Sequence, residues 1–271
     1  MEKIKNKEFR SQQVAGHFSG LEPGKDGRAE ICGALPGSGD KIPEVSIAIP
    51  IYNEEKGVEK TVRNLVRVFE NNKADYQLVL VNHGSWDDTE SIINRLGKEN
   101  NKLKIINLPK NLGYGGGIMH GLDNSDGKII GFTCADEEVS AEDVYKIYDS
   151  LIKNPVDAAK TKRIKRKDGA FRKLTTFVFN TLIFMRFRLK IKDINGYPIF
   201  MKRELYPSVR AKEKTYLFNL DFLINMTKKN YRILEIPIIH QKRETGKSFM
   251  RLLRIVEMSM GLLYYSIKFR R

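Results

Sequence analysis

Three short polar segments of this 271-residue chain combine residue types that could bind a ligand, and each follows a run of apolar residues. They are Tyr52-Asn53-Glu54, Asn82-His83-Gly84 and Cys134-Ala135-Asp136. Continuous apolar runs are typical of buried parallel strands, whose carboxyl ends meet at one edge of a sheet and hold ligands there. We therefore expect the three segments to lie close together and to form one site.

The elements that position these segments alternate between strand and helix in the first half of the chain. Strand patterns cover residues 45–50, 78–81, 103–108 and 128–133. Helical patterns or a glycine-rich loop separate them, and this alternation predicts an α/β fold with an open, mostly parallel sheet and helices on both faces. Further on, the patterns predict helices near residues 171–189 and 249–267 and a strand over 233–240.

The positive charge of the chain is concentrated in two segments. The net charge is +15; residues 160–193 hold twelve Lys or Arg against two Asp, and residues 241–271 hold eight against two Glu. Such segments predict an anionic partner at a defined face. No apolar stretch reaches the roughly 18 residues of a spanning helix, the amino terminus lacks a signal-peptide pattern, and two cysteines exclude a disulfide framework.

The motifs, in their order and spacing over residues 45–250, resemble those of the family-2 glycosyltransferases of the GT-A fold. The resemblance is closest to the polyprenyl-phosphate hexosyltransferase branch, which is similar to dolichol-phosphate mannose synthase. The motifs that carry it are Pro50-x-Tyr52-Asn53-Glu54, the segment 81–89, Asn111-Leu112-Gly113-Tyr114-Gly115, Cys134-Ala135-Asp136, Asp193, Glu235-Ile236-Pro237 and Arg243-x-x-Gly246-x-Ser248.

The resemblance implies a nucleotide-sugar donor and a divalent cation, Mg²⁺ or Mn²⁺. It places Asp136 as the catalytic metal ligand, with Glu137 and Glu138 as possible helpers. The implied nucleotide-sugar site comprises Pro50, Tyr52, Glu54, Asn82, His83, Gly113 and Gly115. The chain departs from the family where Asn82 and His83 replace an acidic pair and where Cys134 replaces the first Asp of Asp-x-Asp, and a thiol is a poor ligand for Mg²⁺.

The resemblance also implies a site for a lipid phosphate. The implied acceptor-phosphate residues are Arg163, Arg172, Thr176, Arg243 and Lys247, which lie in the two basic segments. Asp193 is the predicted catalytic base if the acceptor is a hydroxyl instead. Two interpretations of Asp221 stay open: it contacts the substrate, or it lies on a surface helix.

These observations predict three parts of the chain: a flexible extension over 1–42, a GT-A domain over 43–248 and an amphipathic helix over 249–271. The domain divides into a nucleotide-sugar half (43–137) and an acceptor half (138–248). We expect an inverting, metal-dependent hexosyltransferase that acts on a polyprenyl phosphate or another membrane-associated acceptor in cell-envelope glycan synthesis. Its basic segments and amphipathic helices would hold it at the anionic inner face of the membrane, in the cytoplasm.

Two other functions stay open. The first is a catalytically impaired GT-A-like binding module at the membrane, which Cys134, Asn82 and His83 favour. The second is nucleic-acid binding by the two basic segments. The sequence shows no nucleic-acid-binding motif, so we do not expect nucleic acid as a partner.

Overall fold

The computed structural model describes residues 30–32, 41–164 and 191–239, together with residues 181, 183, 187 and 189. The strands are β1 (Glu30–Cys32), β2 (Val45–Ile51), β3 (Tyr76–His83), β4 (Leu103–Leu108), β5 (Ile129–Phe132), β6 (Ala158–Ile164), β7 (Ile199–Lys202) and β8 (Ile233–Ile239). The helices are α1 (Val58–Asn71), α2 (Thr89–Glu99), α3 (Gly113–Asp123), α4 (Ala141–Lys153), the short α5 (Tyr206–Val209) and α6 (Phe218–Lys228), and a 3₁₀ turn covers Arg203–Leu205.

The described strands form one eight-stranded sheet in the order β1-β4-β3-β2-β5-β7-β6-β8. Strands β4, β3, β2 and β5 run parallel, and β6 pairs in parallel with β8. Strand β7 is antiparallel to both of its neighbours, and β1 is antiparallel to β4. The predicted open, mostly parallel α/β sheet is confirmed, including all four strands of the first half.

Helices cover both faces of the sheet because side chains alternate along each strand. Ile47, Ile49 and Ile51 of β2 pack on one face with buried residues of α1, α2 and α4. Ala48 points to the opposite face, where it joins buried residues of α3, α5 and α6. This alternation is the period of two that a strand imposes, and it leaves the ends of the strands free to carry the polar segments.

The second half contains features that the sequence patterns alone did not locate. Strands β6 and β7 were not among the elements predicted from hydrophobic patterns, since β6 carries Lys160, Lys162 and Arg163. Strand β1 lies inside the predicted extension and pairs with β4. The other domain boundaries stay predictions.

The predicted amphipathic helices lie largely outside the described residues. Of the helix expected over 171–189, Thr181, Ile183 and Phe187 are described and are helical, and the helix expected over 249–267 is not described. Within the part of the chain that the structure does describe, every helix is too short or too polar to cross a membrane.

Candidate functional site

The loops that follow β2 and β3 are joined by hydrogen bonds, so the first two polar segments meet as predicted. The Asn53 backbone N–H donates to Ser85 Oγ at 3.0 Å, and Asn53 Oδ1 accepts from the Trp86 backbone N–H at 3.0 Å. The Glu54 N–H donates to Thr89 Oγ1 at 2.9 Å. Asn53 adopts a left-handed φ of 54°, which an Asn tolerates better than most residues. These contacts fix the entrance to the site.

Asn82, predicted to bind the nucleotide, is buried and holds the loop that follows it. Its Oδ1 accepts from the Ser85 backbone N–H at 3.1 Å, and its Nδ2 donates to Glu90 at 3.2 Å and to Asn107 at 3.1 Å. An amide nitrogen has two N–H groups to donate, and both are used. The structure therefore gives Asn82 a role in shaping the site.

His83 is buried at the end of β3 and is held in one tautomer. Its Nδ1 lies 3.1 Å from Asn111 Oδ1, which also accepts from the Gly113 backbone N–H at 2.7 Å. Because Asn111 Oδ1 is an acceptor, Nδ1 carries the proton and Nε2 has the free lone pair. Burial lowers the pKa of His83, although the hydrogen bond to Asn111 opposes that shift. A neutral imidazole thus replaces the negative charge that the resemblance implies here.

Three further residues of the predicted donor site lie along the same edge. The Tyr52 ring is tilted against His83, with 5.7 Å between the ring centroids. Pro50 pairs with Val81 across the β2–β3 ladder. The Glu54 carbonyl accepts from Val58 N–H at 2.9 Å and so begins α1. The structure brings Pro50, Tyr52, Glu54, Asn82 and His83 together, while their contact with a nucleotide stays a prediction.

Gly113 and Gly115, also predicted to face the nucleotide, lie against another part of the protein. Gly113 has a φ of +77°, which favours glycine. A Cβ on Gly115 would lie 2.6 Å from Phe218 Cβ and 2.9 Å from the Glu213 carbonyl oxygen. These glycines therefore let α3 approach the segment that leads into α6.

Asp136, the predicted metal ligand, converges with Glu138 on one tyrosine hydroxyl. Tyr197 Oη lies 2.9 Å from Asp136 Oδ2 and 2.9 Å from Glu138 Oε2. A phenol has a single proton, so it cannot donate fully to two carboxylates at once. Two convergent carboxylates suit Mg²⁺ or Mn²⁺, because Mg²⁺ commonly binds one or two carboxylates together with substrate phosphates.

Cys134 does not supply a third anionic ligand. Burial, together with the nearby Asp136 and Glu138 carboxylates, raises the pKa of the Cys134 thiol well above its usual range. The thiol is therefore protonated at neutral pH, and a thiol is a weak ligand. No group of three His, Cys, Asp or Glu side chains arranged to hold a metal occurs within the described residues.

Arg163 and Asp193 form a two-pronged ion pair near this cluster. Arg163 Nε and Nη2 donate to the two Asp193 oxygens at 2.8 Å each, and the Arg163 backbone N–H donates at 2.9 Å. Burial raises the pKa of Asp193, but Arg163 outweighs it and holds that pKa at about 2. A carboxylate held in this way is a weak base, so the geometry favours a positioning role over the predicted base.

The guanidinium of Arg163 retains capacity for an anion. Two of its five N–H groups bind Asp193, and no other residue that the structure describes accepts from the remaining three. Burial lowers the pKa of Arg163, but Asp193 raises it more, and Tyr197 and Glu138 are close enough to add to that rise. The cation predicted to bind the acceptor phosphate thus lies beside the carboxylates predicted to bind the metal.

Five residues singled out in the sequence remain: four of the predicted acceptor-phosphate residues, and Asp221. Arg172, Thr176, Arg243 and Lys247 lie outside the described residues. Asp221 is buried, and its Oδ2 accepts from the backbone N–H groups of Lys212 at 2.6 Å and Glu213 at 3.1 Å. It therefore holds the segment that packs on α3, and it does not lie on a surface helix.

Two residues near the predicted site escaped the motif analysis. Tyr197 belongs to none of the motifs identified in the sequence, and nothing in the pattern of its neighbours predicted that its hydroxyl would contact Asp136 and Glu138. Lys160 is fully buried in β6, whereas a lysine in a basic segment reads as exposed.

Known proteins are similar to this chain in sequence and in fold. The model of the family described as glycosyl transferase family 2 matches residues 46–209. An undecaprenyl-phosphate 4-deoxy-4-formamido-L-arabinose transferase from Proteus mirabilis is 25% identical over 83% of this chain and 68% of its own length. A dolichyl-phosphate beta-glucosyltransferase from Trichomonas vaginalis is 25% identical over 83% of this chain and 71% of its own.

A solved structure resembles the fold. Glucosyl-3-phosphoglycerate synthase from Mycobacterium tuberculosis, crystallised with Mn²⁺, UDP and glucosyl-3-phosphoglycerate, has a TM-score of 0.65 at 16% identity. The match covers 83% of this chain and 80% of that one.

Proposed function

This chain belongs to glycosyl transferase family 2, as its motifs predict, and we propose that it transfers a sugar from a nucleotide-sugar donor to a polyprenyl phosphate. The predicted GT-A fold is confirmed with the family. The observation that carries the proposal is that Arg163 lies close to Tyr197 and Glu138, and that the Tyr197 hydroxyl also contacts Asp136. A cation for an acceptor phosphate and carboxylates for a metal-bound diphosphate thus occupy neighbouring positions.

The acceptor that this geometry favours is already an anion. An oxygen of the lipid phosphate forms the bond to the anomeric carbon, while the bond from that carbon to the diphosphate oxygen breaks and its electron pair leaves with the nucleoside diphosphate. No proton has to be removed from the acceptor, so a base is not required. This agrees with an Asp193 whose pKa is held at about 2 by Arg163. A single displacement of this kind inverts the anomeric centre.

Asp136 and Glu138 are the residues that would hold the divalent cation. When bound, the cation neutralises charge on the leaving diphosphate. Tyr197 keeps the two carboxylates together, and its hydroxyl stays protonated because burial raises the pKa of Tyr197 well above its usual range. Cys134 contributes packing beside this pair. Mn²⁺ and UDP in the structurally similar synthase support the use of a divalent cation.

We also propose that the enzyme works at a membrane surface, on its cytoplasmic face. The support is the charge of residues 160–193 and 241–271, which matches an anionic bilayer surface. The named relatives are transferases of lipid phosphates, and those acceptors are embedded in membranes.

A catalytically impaired binding module is the second candidate function. The observation that favours it is the donor edge, where Asn82 has no free N–H, His83 is neutral and Cys134 is a protonated thiol. Such a module would keep the phosphate site without turning over a nucleotide sugar.

Thermal unfolding of the full chain in the presence of UDP-, GDP- and dTDP-sugars, with and without Mn²⁺, tests the donor half of the proposal. A ligand that binds only the native state raises the melting temperature by mass action. We expect one nucleotide class to raise it in a Mn²⁺-dependent way, and Asp136→Asn to abolish the Mn²⁺ dependence. Asp149→Asn, which alters an exposed ion pair on α4, is the matched control. A folded protein that responds to none of these ligands would contradict the transferase.

A further inference from the structure

Lys160 is a charged residue that the proposed reaction does not use, although the fold buries it completely. Its side chain is 0% exposed, and burial lowers its pKa to about 8. A buried ammonium group is costly unless it is paired and hydrogen-bonded. The contacts that hold Lys160 in place therefore indicate what it does.

Those contacts converge on Asp193. Lys160 Nζ donates to the backbone carbonyl oxygens of Asp193 and Thr161, the latter at 2.8 Å. Glu235, the partner of Lys160 in the β6–β8 ladder, accepts from the Asp193 backbone N–H at 3.0 Å. The Lys160 ammonium also lies 3.9 Å from Glu235 Oε1. Two charged side chains thus fix both backbone polar groups of Asp193.

The side chain of Asp193 in turn fixes the orientation of Arg163. Its two oxygens accept from Nε and Nη2, so the plane of the guanidinium is set by the carboxylate. Any shift of the Asp193 backbone therefore moves the three Arg163 N–H groups that have no acceptor among the described residues. Lys160, Asp193 and Arg163 form a chain of direct contacts from the interior of the sheet to the site.

We propose that Lys160 is a positioning residue, which acts through Asp193 to aim the Arg163 guanidinium at the phosphate of a polyprenyl phosphate acceptor. Glu235 completes the same arrangement from β8. The inference rests on the proposed function, because it needs Arg163 to bind that phosphate. It assigns to Lys160 no contact with the substrate.

Binding to vesicles tests the inference without any donor. The full chain is mixed with phosphatidylcholine vesicles that contain or lack undecaprenyl phosphate, and the bound fraction gives an apparent Kd. We expect Arg163→Met to weaken the undecaprenyl-phosphate-dependent binding about thirtyfold. Lys160→Met is expected to weaken it about tenfold through loss of orientation.

The double variant separates positioning from general loss of stability. If Lys160 acts through Arg163, the variant that carries both Lys160→Met and Arg163→Met binds no more weakly than Arg163→Met alone. If the two losses multiply, or if Lys160→Met binds as the wild type does, the inference is overturned. Thermal unfolding is followed for each variant so that binding is compared among folded proteins.

Lys104 supplies a matched control on β4, at the other end of the same sheet. It is also a buried lysine, and its Nζ donates to the Asn124 carbonyl at 2.8 Å and to Asp126 at 3.1 Å. Lys104→Met should lower the melting temperature and leave vesicle binding unchanged. Equal weakening by Lys104→Met and Lys160→Met would contradict a specific role for Lys160.

The failure of the inference is distinguishable from that of the proposed function. If wild-type binding does not depend on undecaprenyl phosphate, the proposed acceptor is wrong. If it does and Arg163→Met weakens it while Lys160→Met does not, only the inference fails. Should Lys160→Met not fold, Glu235→Gln replaces it, with an expected weakening of about threefold for the loss of one charged contact to the Asp193 N–H. Unchanged binding by Glu235→Gln would then overturn the inference.

Discussion

The donor edge and the acceptor side of the site use opposite kinds of interaction. At the donor edge, Asn82 and His83 are buried, neutral and bound to neighbouring protein groups. On the acceptor side, Lys160, Arg163, Asp193 and Glu235 form a nearly buried network of full charges. The proposed acceptor side therefore holds its charges in fixed ion pairs and hydrogen bonds, whereas the donor edge is held by neutral hydrogen bonds, and Asp136 and Glu138 supply the negative charge near it.

The largest expected effect comes from removing the negative charge of Asp136 beside the donor edge. Asp136→Asn removes one of two carboxylates available to the cation and should lower kcat about a thousandfold, since such a cation contributes several kcal/mol to stabilising the leaving diphosphate. Steady-state transfer assays with Mn²⁺ measure the change. Asp149→Asn should keep wild-type activity, and near-normal kcat in Asp136→Asn would show that the donor side does not use this residue.

A second substitution adds negative charge at the donor edge by replacing Cys134 with the Asp that the resembled motif has at this position. Cys134→Asp should tighten Mn²⁺ binding in the presence of UDP about tenfold, because a carboxylate oxygen is a better ligand for a hard cation than a thiol. Electron paramagnetic resonance of free Mn²⁺ gives the affinity, with Cys134→Ser as the uncharged control. Equal affinities of the Asp and Ser variants would mean that position 134 does not face the cation.

Low pH should destabilise the folded protein by protonating Asp193, because the protonated carboxyl no longer forms an ion pair with Arg163. The pKa of Asp193 is lowered from 3.8 to about 2 in the folded protein, so its contribution to stability is complete above pH 3.8 and is lost as the pH falls to 2. The shift corresponds to about 2 kcal/mol. Urea unfolding should therefore show Asp193→Asn to be less stable than the wild type at pH 7, with the gap closing near pH 2. A gap that does not change with pH would contradict the ion pair.

The smallest effect concerns His83 at the donor edge. Burial lowers the pKa of His83 below its usual 6.5, so the folded protein binds fewer protons than the unfolded chain and loses stability as the pH falls through 6.5. His83→Gln should remove this loss of stability on acidification. Unfolding curves of the two proteins should converge toward pH 5, and an identical pH dependence would show that His83 is not buried as a neutral ring.

The parallel half of the fold could be predicted from the sequence because its buried strands are continuous runs of apolar residues. The apolar runs of β2 and β3 are buried as expected, and the helix between them, α1, buries Val58, Val62 and Leu65. Strand β6 escaped the hydrophobic patterns because its lysines and arginine resemble a solvated segment, although Lys160 is buried by partners from β8 and the loop at Asp193.

The residues of the site could be identified from motifs, but their pairing could not. Nothing in the spacing of Arg163 and Asp193 indicates that each is the partner of the other, since they are joined only by the fold. The same holds for Tyr197, whose hydroxyl joins Asp136 and Glu138 across about 60 residues of chain. The glycines of α3 pack closely against the segment that leads into α6, and their contact with a nucleotide stays a prediction.

Transfer itself is the measurement that tests the central claim most directly. The full chain is incubated with labelled nucleotide sugars, Mn²⁺ and undecaprenyl phosphate in vesicles, and the lipid fraction is analysed for labelled product. We predict a sugar linked to the lipid phosphate with at least one nucleotide class, lost in Asp136→Asn and strongly reduced in Arg163→Met. A folded protein that binds both a nucleotide sugar and the lipid phosphate but forms no labelled lipid would contradict the transferase and establish the binding module.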